Sequence, residues 1–310
     1  MWNLYLNDLF YLFVDTSVCN LADDTTPYAI NKDLPTLMRD LEGDVSSVMD
    51  WFKANFVLLN AEKCHFLLSG PKTVVDHMSV KVGEQVIWES QKEKLLGLIV
   101  DKQMKFQDHL KAVIRKASGK LSALTRLARI LPFEQKRTIM NAFIESQFSN
   151  SSYPLIWMFC SRELNDKINS VHKRALRQVY SDFTSSFKEL LEKDNSVTVH
   201  QRNIQLVAIE MFKATKKLCP KIVQDLFTFN QNGDVNKTFL RPNVNNKNTG
   251  ENTIRYFGPI VWDRMLPKEY KTIQTLESFK IAIRKWSPKN CPCSLCREYI
   301  HGVGYITTYE

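Results

Sequence analysis

The amino-acid sequence predicts an α+β fold, because the spacing of its apolar residues changes near residue 106. Before that point, short alternating runs such as residues 80–82 and 85–88, joined at Gly83, indicate strands and hairpins. After it, apolar residues recur at steps of three or four, which indicates helices. We therefore expect small antiparallel strands with one long helix first, and a mostly helical remainder.

The individual elements follow from the same periodicities. In the first part we expect a hairpin over 17–30, a helix over 34–53, and strands over 56–59, 64–68, 80–82, 85–88 and 95–100. In the second part we expect helices over 106–131, 133–148, 162–180, 199–217, 221–228 and 275–286. The asparagine-rich stretch 230–253 is typical of a long loop or disordered linker. These elements suggest four regions: 1–105, 106–185, 186–290 and 291–310.

Composition limits the class of protein. Of the 310 residues, 44% are hydrophobic and 24% are charged, which is typical of a globular chain. No apolar run reaches the roughly 18 residues of a membrane span. The first residues also lack a basic segment ahead of apolar ones, so we expect no signal peptide and an intracellular protein, cytoplasmic or nuclear. The seven cysteines are expected to be reduced thiols.

Charge is unevenly distributed along the chain. The net charge is +9, yet residues 1–50 carry nine acids against two bases. Residues 111–140 contain eight bases and the single acid Glu134. An acidic segment followed by a basic body fits a protein that holds metal ions beside a polyanion. The alternative is a generally basic, solvated surface.

Two adjacent aspartates, Asp23 and Asp24, lie at the centre of the predicted hairpin. Mg²⁺ prefers carboxylate oxygens, and a pair of such ions can activate a hydroxyl group and stabilise a leaving pyrophosphate. Aspartate is also common in turns because its side chain bonds its own backbone, so a purely structural role is the alternative.

The end of the chain contains Cys291, Cys293 and Cys296, followed by His301. Three thiolates and one imidazole would complete a tetrahedral zinc site, and small zinc knuckles often contact nucleic acid. The first spacing, with one intervening residue, is shorter than usual, and an unmetallated reduced tail is the alternative. The histidines at 65, 77, 109, 172 and 200 do not group with cysteines or acids in sequence, so we expect packing or surface roles for them.

Several segments, in order, resemble one family of reverse transcriptases. They are residues 4–9 (LYLNDL), 19–26 (CNLADDTT), 51–52 (WF), 58–64 (LLNAEKC), 95–101 (LLGLIVD) with His109, 141–148 (NAFIESQF), 154–158 (PLIWM), 172–177 (HKRALR), 200–203 (HQRN), 258–262 (GPIVW) and the cysteine-rich end. Over nearly its whole length the chain is similar to the C-terminal part of the RNA-directed DNA polymerase of jockey-like non-LTR retrotransposons.

The resemblance implies an incomplete polymerase palm over 1–105 and a thumb-like helical region over 106–185. It implies that Asp23 and Asp24 hold Mg²⁺ or Mn²⁺ and that residues 95–101 support the primer end. Lys63 would lie near the nucleotide, although a plain surface lysine is the alternative. The implied partners are an RNA template and a DNA primer, or an RNA–DNA hybrid, with dNTPs as the only small-molecule substrates and no membrane.

Six basic residues at the start of the thumb-like region are expected to contact phosphates without reading sequence. They are Lys111, Arg115, Lys116, Lys120, Arg126 and Arg129. The alternative is the solvated face of a helical bundle.

The chain also departs from the family pattern. Leu21 replaces an aromatic residue, and neither a fingers domain nor the earlier palm aspartate precedes Asp23. Because the mechanism relies on metal geometry, we expect that this chain does not polymerise alone. The alternative function is a non-catalytic nucleic-acid-binding remnant that uses the basic helices and a zinc knuckle.

Overall fold

A computed structural model of the chain describes residues 5–70, 78–149, 153–230, 238–244 and 250–299. Helices and small antiparallel sheets of two strands each make up this part of the chain, which confirms the α+β class. The chain divides into two compact units. We call residues 1–95 and 99–104 the N-terminal unit, and residues 96–98 and 105–310 the C-terminal unit.

Among its described residues, the N-terminal unit contains three hairpins and one long helix, although residues 96–98 of the third hairpin are assigned to the C-terminal unit. Its elements are a 3₁₀ helix at Asn7–Leu12, β1 (Ser17–Leu21), β2 (Asp24–Tyr28), α1 (Leu34–Ala54), a 3₁₀ turn at Ala61–Lys63, β3 (Ser79–Val82), β4 (Gln85–Trp88), β5 (Lys92–Leu95) and β6 (Leu98–Asp101). The hairpin β1–β2, helix α1 and the pair β3–β4 confirm the sequence expectations. A small core of Met38, Leu41, Phe66, Leu68 and Val80 holds α1 against this sheet region.

A buried carboxylate fixes the start of β1 against α1. Asp44, on α1, is only 4% exposed and accepts hydrogen bonds from both the backbone N–H and the hydroxyl of Thr16, at 2.8 and 2.7 Å. The backbone N–H of Asp15 donates to the same oxygen at 3.1 Å. Charge-assisted bonds of this kind are stronger than neutral ones, so they set the position from which the acidic hairpin projects.

The strand expected over 95–100 is instead a hairpin. Leu96 and Gly97 both have positive φ, 48° and 93°, and they form the two-residue turn between β5 and β6. A two-residue turn with positive φ at both positions suits the right-handed twist of paired strands, and glycine tolerates it best. The prediction of one strand was wrong because it treated Gly97 as part of a continuous apolar segment, whereas Gly97 lies in the turn between two strands.

Two other predicted strands are absent or reduced in the described residues. Residues 56–59 form no strand, and Phe56 and Leu58 are 95% and 97% exposed. Within 64–68 only Phe66 makes a bridge, with Glu89. Short apolar runs predicted both strands, but among the described residues no strand pairs with residues 56–59 to shield their apolar side chains.

The C-terminal unit is a set of helices. Its elements are α2 (Gln107–Leu127), α3 (Phe133–Ile139) continued by a π helix at Met140–Ile144 and a 3₁₀ helix at Glu145–Phe148, α4 (Pro154–Trp157), α5 (Arg162–Tyr180), α6 (Phe187–Asp194), α7 (Val199–Thr215), α8 (Lys221–Gln224), β7 (Thr228–Phe229), β8 (Phe239–Leu240), α9 (Ile254–Ile260) continued by a π helix at Val261–Met265, α10 (Lys268–Lys271), α11 (Leu276–Ile283) and α12 (Ser294–Arg297). The helices expected over 106–131, 133–148, 162–180 and 199–217 are confirmed, and shorter ones lie within 221–228 and 275–286.

Two apolar cores organise this unit. One joins the buried stripe of α2 to α5, with Leu110, Leu121, Leu124, Ile168 and Ala175 among its fully buried members. The other surrounds α7 and includes the C-terminal cysteines. No helix among the described residues combines the length and apolarity that a membrane crossing requires.

Three features of this unit were not predicted. The described part of the asparagine-rich stretch is not a loop throughout, because β8 pairs with β7 and Phe239 is only 3% exposed. Residues 231–237 and 245–249 of this stretch lie outside the described residues. Helix α6 begins at a Ser186–Glu189 capping box. Helix α9 contains Pro259, which a periodicity argument treats as a helix breaker.

Candidate metal centre and basic helix

One histidine and three cysteines form a buried cluster in the C-terminal unit. His200, Cys291, Cys293 and Cys296 are at most 6% exposed, and their ligand atoms all lie within 4.8 Å of one another. His200 Nε2 lies 3.9, 3.5 and 3.2 Å from the sulfurs of Cys291, Cys293 and Cys296 respectively. Cysteines and a histidine converge here without any acidic ligand.

These distances fit a tetrahedral zinc ion. Zinc binds cysteine sulfur at about 2.3 Å and histidine nitrogen at about 2.0–2.1 Å, so tetrahedral geometry holds sulfur and nitrogen about 3.5 Å apart. The three observed separations lie on both sides of that value. Soft thiolates with one imidazole favour zinc over magnesium or calcium, which prefer oxygen ligands. The cluster can therefore hold a metal such as zinc.

Helix α7 positions the histidine at its first turn. Thr198 caps the helix, and its side chain and that of Gln201 form a reciprocal capping box. Gln201 also donates to Ser287 Oγ and to the Pro288 carbonyl, and Gln205 donates to the Trp286 carbonyl at 2.6 Å. The first turns of α7 thus bind residues 286–288, which come shortly before Cys291 in the chain. These contacts bring the cysteine segment close to His200.

The cysteine segment is itself a short capped helix. Cys293 Sγ caps α12 by accepting a bond from the backbone N–H of Cys296 at 3.4 Å. The end of this segment is attached to α5, because Tyr299 accepts a bond from Asn165 at 2.9 Å and donates to Asp166 at 2.7 Å. The Arg162 guanidinium lies 4.8 Å from the centre of the Tyr299 ring. The tail therefore belongs to the folded unit as far as residue 299.

Electrostatics within the cluster favour one thiolate. Hydrogen bonds from Cys291 and Cys296, with a further contribution from His200, lower the pKa of Cys293 well below its ordinary value, although burial opposes them. The hydrogen bond to Cys293 raises the pKa of Cys291, and those to Cys291 and Cys293 raise the pKa of Cys296. A metal ion bound by all three sulfurs displaces the remaining protons.

His200 is the candidate ligand that sequence reasoning missed. The expectation that it does not group with the cysteines was wrong, because its ring lies against all three of their sulfurs. His301, the ligand proposed from sequence, lies outside the described residues. His200 is separated from Cys291 by 91 residues, so no local spacing pattern joins them. The one available sign was the capping box at Thr198, which places position 200 in the first turn of a helix.

The acidic pair lies at the tip of the β1–β2 hairpin. Leu21 pairs with Asp24, so Ala22 and Asp23 form the turn and Asp24 begins β2. Both aspartates are exposed, and in the described part of the chain no third histidine, cysteine or acidic residue joins them. Two exposed carboxylates alone do not fit a tightly held Mg²⁺, which needs near-octahedral oxygen geometry.

Lys63 is exposed and ends the short 3₁₀ turn. Across the described segments it makes no ion pair with Asp23 or Asp24. Its role beside a nucleotide therefore stays a prediction.

Helix α2 separates its apolar and basic residues. Leu110, Ala117 and Leu121 are fully buried, whereas five of the six bases expected to contact phosphate are exposed and Lys120 is half-buried. At about 100° per residue, positions 111, 115 and 126 fall within about 60° of one another around the helix. Arg129 follows the last turn.

Most of these bases are electrostatically uncompensated. Lys111 lies 3.6 Å from Asp108, and Lys120 Nζ lies 5.8 Å from the centre of the Phe143 ring. Over the described ranges no ion pair neutralises four of the bases. They are Arg115, Lys116, Arg126 and Arg129. Arg115 and Arg126 share one exposed face of α2, with Lys116 at its side and Arg129 just beyond the helix end, and such a set of unpaired cations can bind successive phosphates.

A partly buried charge cluster joins three segments of the unit. Glu145 forms a bidentate ion pair with Arg202 of α7, at 3.2 Å for both contacts, and its Oε1 lies 3.3 Å from Nε2 of His172 on α5. Burial raises the pKa of Glu145, but the contact with His172 and the charge of Arg202 outweigh it and lower the pKa to about 2. Three segments singled out in the sequence, 141–148, 172–177 and 200–203, thus meet at one carboxylate.

Comparison of the chain with protein-family models, with curated proteins and with solved structures finds no match.

Proposed function

We propose that this chain is part of a reverse transcriptase of a jockey-like non-LTR retrotransposon, and that its C-terminal unit binds nucleic acid through phosphates. The observation that carries the binding proposal is the set of unpaired cations along α2 and just beyond it, opposite a fully buried stripe. The order and spacing of the sequence segments that resemble this reverse transcriptase family support the proposed family membership. The partners would be an RNA template with a DNA primer, or an RNA–DNA hybrid.

In this proposal the N-terminal unit is part of a polymerase palm. In the intact parent enzyme, Asp23 and Asp24 would hold Mg²⁺ or Mn²⁺ together with further ligands, and the ion would supply charge stabilisation for nucleotidyl transfer. In this chain the two exposed carboxylates alone do not fit a tightly held ion. Lys63 would lie beside the nucleotide, and the β5–β6 hairpin would support the primer end. A zinc ion held by His200, Cys291, Cys293 and Cys296 would have a structural role, since four protein side chains would fill its coordination and leave no position for a substrate.

A salt titration tests the nucleic-acid proposal. Affinity for an RNA–DNA hybrid should fall steeply with salt, because each phosphate contact releases condensed counterions. Replacing Arg115 or Arg126 with glutamine should reduce the slope of log affinity against log salt by about one per residue. Lys221→Gln is the matched control, because this exposed lysine of α8 is already paired with Asp225 at 2.8 Å. An affinity of the unmodified chain that does not change with salt concentration would contradict the proposal.

A primer-extension assay tests the polymerase proposal. We expect no template-directed extension by this chain with Mg²⁺ or Mn²⁺, because two exposed carboxylates without a third ligand cannot fix metal geometry. The Asp23→Ala/Asp24→Ala variant is the control. Extension that is present in the unmodified chain and lost in the variant would show that the expectation of inactivity is wrong.

A further inference from the structure

A cleft of about 830 Å³ opens where α2 and α5 end. Its volume is within the range of about 300–1,000 Å³ that ligand sites span. It shares no residue with the metal centre. Its lining residues are Thr125, Arg126, Ala128, Arg129, Gln178, Ser181 and Phe183.

The cleft is basic. Arg126 and Arg129 have no ion-pair partner within the described segments, and the lining contains no acid. Asp182 is adjacent in sequence, but its carboxylate is already engaged by the backbone N–H of Ser185 at 3.1 Å and by the ammonium of Lys193 at 3.1 Å. The two guanidinium groups are therefore available to an anion.

One aromatic ring in the cleft is exposed to solvent. Phe183 is 59% exposed, whereas Phe187, four residues later, is 1% exposed and lies in the core. Ser181 ends α5 in the left-handed conformation, with φ of 51°, and its N–H donates to the Arg177 carbonyl. This turn ends the helix, so the chain leaves the axis of α5 before Phe183. The side chain of Phe183 then lines the cleft together with residues at the end of α2. The described residues provide no aromatic ring in contact with that of Phe183.

We propose that this cleft binds an unpaired nucleotide of a single-stranded nucleic acid, with its base stacked on Phe183 and its phosphates on Arg126 and Arg129. A base inside a duplex has both faces covered by its neighbours, so only an unstacked base can offer a face to the ring. Gln178 and Ser181 supply hydrogen-bonding groups for the base edge. This inference rests on the proposed function and deepens it, since phosphate contact alone does not distinguish paired from unpaired strands.

Fluorescence of 2-aminopurine tests the inference. A single strand of about eight nucleotides that carries this base between two abasic sites has no neighbouring base to stack on it, so the free strand is bright. It should bind the full chain with quenching as the base stacks on the ring of Phe183. Phe183→Ala should weaken binding by about 5- to 150-fold and remove the quenching, whereas Phe183→Tyr should restore both. Phe56→Ala is the matched control, because Phe56 is a phenylalanine that is 95% exposed and belongs to neither the cleft nor the basic helix.

The outcomes separate the two proposals. Equal affinity and equal quenching for the unmodified chain and Phe183→Ala, with the steep salt dependence retained, would overturn the stacking inference and leave phosphate binding intact. Binding that is weakened equally in Phe183→Ala and Phe56→Ala would also overturn it. Absence of salt-dependent binding by the unmodified chain would remove the proposed function itself.

Discussion

Replacing His200 with alanine is expected to remove zinc from the chain, whereas replacing His301 should leave it bound. His200 Nε2 lies within 3.9 Å of all three sulfurs, so its loss leaves three ligands for an ion that prefers four. We expect zinc affinity to fall by more than about 100-fold. At zinc concentrations far above the original Kd, this corresponds to about 2.7 kcal/mol of unfolding free energy.

Elemental analysis and thermal unfolding, with and without a chelator, measure this effect. The unmodified chain should contain about one zinc ion and unfold at lower temperature after chelation. His200→Ala should contain little zinc and show no further shift with chelator. Cys219→Ser is a second control, because Cys219 is not part of the cluster. Zinc retained in His200→Ala but lost in His301→Ala would show that the ligand proposed from sequence is the correct one.

Replacing Glu145 with glutamine is expected to destabilise the C-terminal unit by about 3–5 kcal/mol at neutral pH, because it leaves the Arg202 guanidinium partly buried without its counterion. Denaturant unfolding measures the difference. Glu163→Gln is the matched control, since Glu163 is an exposed glutamate that pairs with Lys167 along the helix surface. A loss no larger than that of the control would contradict the interpretation of this cluster as a structural tie.

The same carboxylate gives a pH dependence with a definite sign. The pKa of Glu145 is lowered to about 2 in the folded protein, from an ordinary value near 4.5. Its contribution is therefore complete above about pH 4.5 and is lost as the pH falls towards 2, where the folded protein also binds the proton. The shift corresponds to about 3 kcal/mol. When the free energy of unfolding is measured as a function of pH, this loss between about pH 4.5 and 2 should be absent in Glu145→Gln.

Much of the fold could be predicted because the helices of the C-terminal unit have complete apolar stripes. Helix α5 was predicted with its bounds, since Leu164, Ile168, Val171 and Ala175 recur at helical steps and all are buried. The N-terminal unit was harder to predict. Its strands are four or five residues long and pair only in twos, so a single turn glycine such as Gly97 decides whether a run is one strand or two.

The metal site could be predicted only in part, for a different physical reason. The three cysteines are close in sequence, so their chemistry is visible without a fold. The fourth ligand depends on the docking of residues 286–288 against α7 through Gln201 and Gln205. Such contacts between distant segments leave no periodic pattern in the sequence. The exposed ring of Phe183 was likewise unpredictable, because burial of an isolated phenylalanine is the ordinary expectation.

The separation of 91 residues between His200 and Cys291 has a consequence for how the C-terminal unit folds. A metal ion that binds only the folded chain can join them only after this long loop has closed, so the free energy of zinc binding must offset the entropy of closing the loop. The separation also makes the site a contact between residues that are distant in sequence, which forms late and slowly when folding starts without the ion. Zinc supplied during refolding should therefore change the rate at which this unit forms as well as its final stability.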